Sequence, residues 1–115
     1  MAYSEELASR IREAIGGRSG VTERKLFGDV AWMVNGNIAV GTLGENLMVR
    51  LAHEDVDAAL LEPFAGPADP TGRRMHDYLA IDAAGIADDE ALAGWVDAGA
   101  DHAASLPPKE RSRPI

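Results

Sequence analysis

Apolar positions between Lys25 and Leu51 fall into three runs, broken at Asn35-Gly36-Asn37 and at Gly44-Glu45-Asn46. Each run is short, rich in Val, Ile, Leu and Met, and bounded by turn residues, which predicts strands. Asn35-Gly36 predicts a tight hairpin, because both central residues of a type I′ turn need positive φ. Thr22–Phe27 predicts a shorter strand ahead of it. Period-two alternation puts Val30, Trp32 and Val34 on one face and groups Ile38 with Val40. It sets Leu47, Val49 and Leu51 opposite Met48 and Arg50. A last strand is predicted over Met75–Asp82, with Met75, Asp77, Leu79 and Ile81 on one side and His76, Tyr78 and Ala80 on the other.

Helical spacing occurs in three other stretches. Leu7, Ile11, Ala14 and Ile15 form an apolar stripe after a Ser4 cap, with Glu5 and Glu6 in the first turn and Gly16-Gly17 as the stop. His53–Glu62 predicts a short helix with Val56, Ala59 and Leu60 inward and Pro63 ending it. Pro63–Arg74 reads as a loop from its Pro, Gly and Asp content. Asp88 caps a final helix carrying Leu92, Trp95, Val96, Gly99, Ala103 and Leu106 inward, closed by Pro107-Pro108. The sum is an α+β fold. An antiparallel sheet of about five strands is packed by an N-terminal helix, a short middle helix and a C-terminal helix. Residues 1–106 are expected to make a single domain, and 107–115 a flexible tail.

Charge and composition narrow the partners. The chain has 115 residues and a formal net charge of −8. Lys109, Arg111 and Arg113 against Glu110 give the tail about +2, which leaves the body near −10. Such a body repels phosphate backbones, so direct nucleic-acid binding is disfavoured. The absence of cysteine excludes disulfides, Fe–S clusters and thiolate zinc sites. The start, MAYSEELASR, is polar and acidic, unlike a secretory signal, and no apolar run is long enough to span a bilayer. A soluble, cytoplasmic protein is expected.

The residues that carry chemistry are sparse. His53, His76 and His102 show no metal-ligand spacing, and His76 and Asp77 point to opposite faces of their strand. No serine sits in a nucleophile-elbow setting, and the acidic pairs lie in first turns of helices, where the dipole accounts for them. No catalytic residue, metal site or cofactor is therefore assigned. Arg50 is a charge within an otherwise apolar strand. It is either solvated or paired, or it awaits an anion. Arg73 and Arg74 are candidates to join it, with Trp32, Met33 and Tyr78 lining a pocket or else serving as core. The small-residue stripe Gly94, Ala98, Gly99 and Ala103 suits either self-packing or close helix-on-sheet contact.

Several short pieces, in order, resemble the N-terminal domain of the TfoX/Sxy family. They are Leu26-Phe27-Gly28, Trp32-Met33-Val34-Asn35-Gly36, Leu47-Met48-Val49-Arg50 and Thr71-Gly72-Arg73 followed by Met75. The likeness spans about residues 5–104, and Asp29 stands where family members often carry a second Gly after Phe-Gly. The resemblance implies an α+β fold and a regulatory or adaptor role in transcriptional control of DNA-uptake genes, exercised through a partner activator rather than by catalysis. The expected partners are thus a protein, such as a transcription regulator, or a second copy in a homodimer. The alternative is a small-molecule or anion-binding protein using Arg50, Arg73, Arg74, Trp32 and Tyr78.

Overall fold

The computed structural model describes residues 3–26, 28–68 and 77–108. Helix α1 (Glu5–Ile15) is followed by strands β1 (Val21–Leu26), β2 (Asp29–Val34), β3 (Asn37–Leu43) and β4 (Asn46–Arg50). Helix α2 (His53–Ala59), strands β5 (Ala65–Pro67) and β6 (Tyr78–Ile81), a 3₁₀ turn (Ala83–Ile86) and helix α3 (Asp89–Ser105) complete the order. The sheet is antiparallel, with strand order β1-β2-β3-β4-β6-β5. It is the α+β fold expected, with six strands rather than about five.

The local causes are those the residues suggest. The Ser4 hydroxyl accepts from the Leu7 N–H at 3.1 Å, and the Asp88 carboxylate from the Ala91 N–H at 3.2 Å, so α1 and α3 both open on a side-chain cap. Asn35 and Gly36 take φ of 53° and 85°, the pair of positive angles a type I′ hairpin requires.

Both long helices lie on one face of the sheet. Gly99 of α3 sits against Ala39 and Val40. On α1, Arg12 bonds Glu23, which is the cross-strand partner of core residue Trp32. The core between them contains Ile11 and Ile15 of α1, Val96 and Ala100 of α3, and Trp32, Val40, Leu47, Val49, Leu79 and Ile81 of the sheet, all essentially inaccessible. Each large side chain buried this way stabilises the fold by about 1.5–3 kcal/mol relative to exposure. Val56 of α2 joins the same core, with Ala59 and Leu60 partly buried against it.

Four expectations need correction. Ile38 and Val40 do not share a face. The β2–β3 register shifts between Trp32 and Met33, so Val40 pairs with Trp32, Ile38 pairs with Met33, and Ala39 is the extra residue of a bulge. Part of the predicted loop after Pro63 is the edge strand β5, paired to β6 through Ala65–Ile81, Gly66–Ala80 and Pro67–Leu79. Pro67 is tolerated there because an edge strand leaves one row of N–H groups unpaired anyway. The middle helix stops at Ala59 rather than Glu62. Asp77 is not extended: its φ is 71°, and β6 starts one residue later. Phe27, Arg73, Arg74, Met75, His76 and the tail from Lys109 onward lie outside the described residues.

The stripe on α3 is used for packing. Gly99 and Ala103 are buried against the sheet, whereas Gly94 is exposed and meets nothing within 4 Å of where a Cβ would be.

Candidate functional site

Several charged side chains serve as struts between elements. Arg10 bonds the Asp89 carboxylate at 2.9 Å and the Ile86 carbonyl at 2.7 Å, tying α1 to the 3₁₀ turn and the start of α3. Arg12 grips Glu23 with two hydrogen bonds of 2.9 and 2.8 Å, and Glu23 also accepts from the Trp32 indole N–H at 3.1 Å. The Arg12 hydrogen bonds, then its charge and the Trp32 donor, hold the Glu23 carboxyl below the usual carboxylate range although partial burial pushes the other way. Partial burial of Arg18 disfavours its charged form. Hydrogen bonds to Asp101 and Asp97 outweigh that, and its pKa stands above the ordinary value.

A buried polar chain occupies the start of β2. The Val30 N–H donates to the Thr42 hydroxyl at 2.9 Å, the Thr42 hydroxyl donates to Asp29 at 3.0 Å, and Asp29 accepts again from the Gly44 N–H at 3.0 Å. Asp29 therefore clamps the β3–β4 turn.

Among the described residues no three His, Cys, Asp or Glu side chains converge as a metal ion would require. His53 Nδ1 lies 3.7 Å from Asp77 Oδ1, with half of the His53 side chain exposed. An open cleft of about 480 Å³ between α1 and α3 is lined by Glu6, Arg10, Glu13, Asp89 and Leu92, but its cation is already spent on Asp89. Among the described residues, Leu61 and Phe64 are the large apolar side chains that stand well out in solvent. No described helix is long and apolar enough to cross a membrane.

The face of the sheet turned away from α1 and α3 offers more. Cross-strand pairing places Met33 opposite Ile38 and Arg50 opposite Tyr78, with Met48 and Ala80 paired between them. All six are partly buried, none fully. The Arg50 guanidinium lies 5.8 Å from the centroid of the Tyr78 ring, within cation–π range. Its Nε is buried and has no hydrogen-bond partner among the described residues. The buried Asp77 Oδ1 is likewise without a hydrogen bond there, and His53 Nδ1 lies 3.7 Å from it.

The structure thus brings Arg50, Tyr78 and Met33 to one face. It does not bring Trp32 there. Trp32 pairs with Val40 and Val40 with Val49, the neighbour of Arg50, so the indole points to the helical side and is 1% exposed. Arg73 and Arg74 lie outside the described residues. Ile38 is the member of this face that sequence reasoning missed, and no residue pattern marks the bulge that turns it outward.

The family model for the TfoX N-terminal domain matches residues 13–103, most of the chain. No curated protein and no solved structure matches it. The chain belongs to the TfoX N-terminal domain family.

Proposed function

We propose that this TfoX N-terminal domain is a non-catalytic regulatory module that docks a protein partner, a regulator of transcription or competence, in the cytoplasm. The observation that carries this reading is the one-sided packing. With α1 and α3 on the same side, Met33, Ile38, Met48 and Tyr78 form the other face, uncovered by either helix. Met, Tyr and Arg are enriched at protein interfaces, and Tyr and Arg at their energetic centres. The sheet edges suit docking less well. β1 exposes Glu23, Arg24 and Lys25, and β5 is three residues long and ends in Pro67, both features that oppose strand addition. The TfoX N-terminal domain is not a known enzyme family.

The test is affinity capture from native lysate with three baits: wild type, Ile38→Glu on the open face, and Arg18→Ala on the helical side. A partner retained by wild type and Arg18→Ala but lost by Ile38→Glu supports the reading. Identical retention by all three overturns it. The orphan Nε of Arg50 beside Tyr78 favours a second reading, small-anion binding. A phosphate- or dicarboxylate-induced rise in Tm that vanishes in Arg50→Met would support that one instead.

A further inference from the structure

We infer that the open face receives an acidic amphipathic polypeptide segment, one carboxylate of which binds Arg50 against the Tyr78 ring while its apolar side chains cover Met33, Ile38 and Met48. This rests on the docking reading above and adds the chemistry of the partner.

The first argument is charge. Acidic residues number 19 against 11 basic ones, so a random face of this protein would be studded with carboxylates. On the described strands, the outward positions carry Arg24 and Arg50 as their cations. The carboxylate that shares that alternation, Asp29, is turned to Thr42 and the Gly44 N–H. The face is therefore an apolar surface with positive charge on an otherwise acidic body. Opposite potentials of this kind select a partner of complementary sign and speed its approach.

The second argument is the unpaired donor. A buried N–H without an acceptor is destabilising, and native structures leave few of them. Arg50 Nε is one. Nε is enclosed by the chain itself, so a carboxylate takes Nε–H and Nη–H in two parallel hydrogen bonds as the Arg50 side chain turns outward. The Tyr78 ring lies beside the guanidinium fork, its centroid 5.8 Å from the guanidinium carbon. Asp77 does not fill the role, since its buried Oδ1 makes no hydrogen bond among the described residues.

These same features disfavour the other occupants. A second copy joined face to face about a two-fold axis would set the arginines of one surface against those of the other. A nucleic acid would meet two arginines here and the repulsion of a body near −10 around them.

The probe is a displayed library of short random peptides panned against the full chain. Enriched peptides are then synthesised and titrated by fluorescence anisotropy into wild type, Arg50→Met, Ile38→Glu and Arg18→Met, each checked for fold by circular dichroism. The expected binders are net acidic and apolar. They weaken with salt, lose roughly tenfold or more in affinity to Arg50→Met, fail on Ile38→Glu, and keep full affinity for Arg18→Met. Neutral or basic binders, or acidic ones indifferent to Arg50→Met, overturn the acidic-partner inference. If those binders are still lost on Ile38→Glu, the docking face stands and only its chemistry is wrong. If they survive both face variants, or if panning enriches nothing, the docking face falls with it.

Discussion

Two glycines of α3 allow a test in which the same substitution has opposite signs. At Gly99 the helix passes so close to β3 that an added Cβ would lie 2.5 Å from the Ala39 carbonyl oxygen and 2.9 Å from Val40 Cγ1. The oxygen belongs to the backbone and has no rotamer into which to retreat. Gly99→Ala must therefore push α3 off the sheet by most of an ångström. That opens gaps beneath Val96, Ala100 and Ala103, all of them fully buried. A radial gap of about 0.5–1 Å forfeits a quarter to a half of each dispersion contact, and overpacking of this kind costs about 1–3 kcal/mol. Against it stands the intrinsic helix preference of Ala over Gly, about 1 kcal/mol. Because the wall is backbone, the upper part of that cost, about 2–3 kcal/mol, applies, and the net expectation is a loss of about 1–2 kcal/mol, which in a domain of this size lowers Tm by about 4–8 °C for each kcal/mol.

Gly94 sits five residues earlier, exposed, with nothing within 4 Å of the place a Cβ would take. Gly94→Ala keeps the propensity gain and meets no wall, so it is expected to stabilise by about 0.5–1 kcal/mol. Urea unfolding followed by far-ultraviolet circular dichroism measures both, with the m-value confirming an unchanged two-state transition. Because the propensity term is common to the pair, the difference between them reports the α3–β3 contact alone. A Gly99→Ala protein as stable as wild type, or two shifts of the same sign, would refute the packing argument.

Thr42→Val, nearly the same shape, strands the buried Val30 N–H and removes a donor from Asp29, and is expected to cost about 1–3 kcal/mol in a urea titration. Trp32→Phe is expected to cost about 1–3 kcal/mol through the lost bond to Glu23 and the space left in the core, while leaving open-face peptide binding unchanged in an anisotropy titration. Acid titration of stability tests the Arg12–Glu23 pair. Glu23 is depressed in the folded state, so its contribution is present above the ordinary carboxylate value and is lost as pH falls through the lowered folded value. Glu23→Gln should flatten that limb of the curve. With over a third of the Glu23 side chain exposed, the effect at neutral pH should be below about 1 kcal/mol and should shrink further in high salt.

Local chemistry was readable where one residue type admits few conformations. Asn35-Gly36 has to turn, and Ser4 and Asp88 stand where their oxygens meet free N–H groups, so the hairpin and both long helices could be placed from sequence. β5 could not. Three residues containing Gly and Pro have no strand preference of their own, and they are extended because β6 lies beside them. The bulge at Ala39 has the same origin. It inserts one residue between Ile38 and Val40, both good strand formers, at the place where the backbone of Gly99 on α3 comes close to the Ala39 carbonyl. Asp77 resembled a strand residue because its neighbours alternate, but alternation says nothing about φ, and Asp77 is in the left-handed region.

The candidate site was legible only in part, for a related reason. Alternation within one strand separates two faces but does not say which face of one strand continues which face of the next. That link is register, and register belongs to the pairing of strands distant in sequence. Arg50 and Tyr78 were grouped as candidates for one pocket by residue type, and only the β4–β6 pairing sets them opposite one another. Trp32 was grouped with them because it is aromatic and on the same sheet, yet two further pairings carry it to the helical side. The open face is thus decided by where the helices sit. Gly99 seats α3 on the Val40 side, Arg12 draws α1 to the Glu23 side, and these are the same side. What remains on the other is a surface whose alternation would let it be a second core, but which carries two arginines that no strut among the described residues has claimed. A core cannot hold an unpaired guanidinium N–H cheaply, and a merely solvated face has no need of Met33, Ile38 and Met48. Together the two mismatches are what the proposed acidic, amphipathic partner would resolve, by setting a carboxylate on Arg50 and apolar side chains on Met33, Ile38 and Met48.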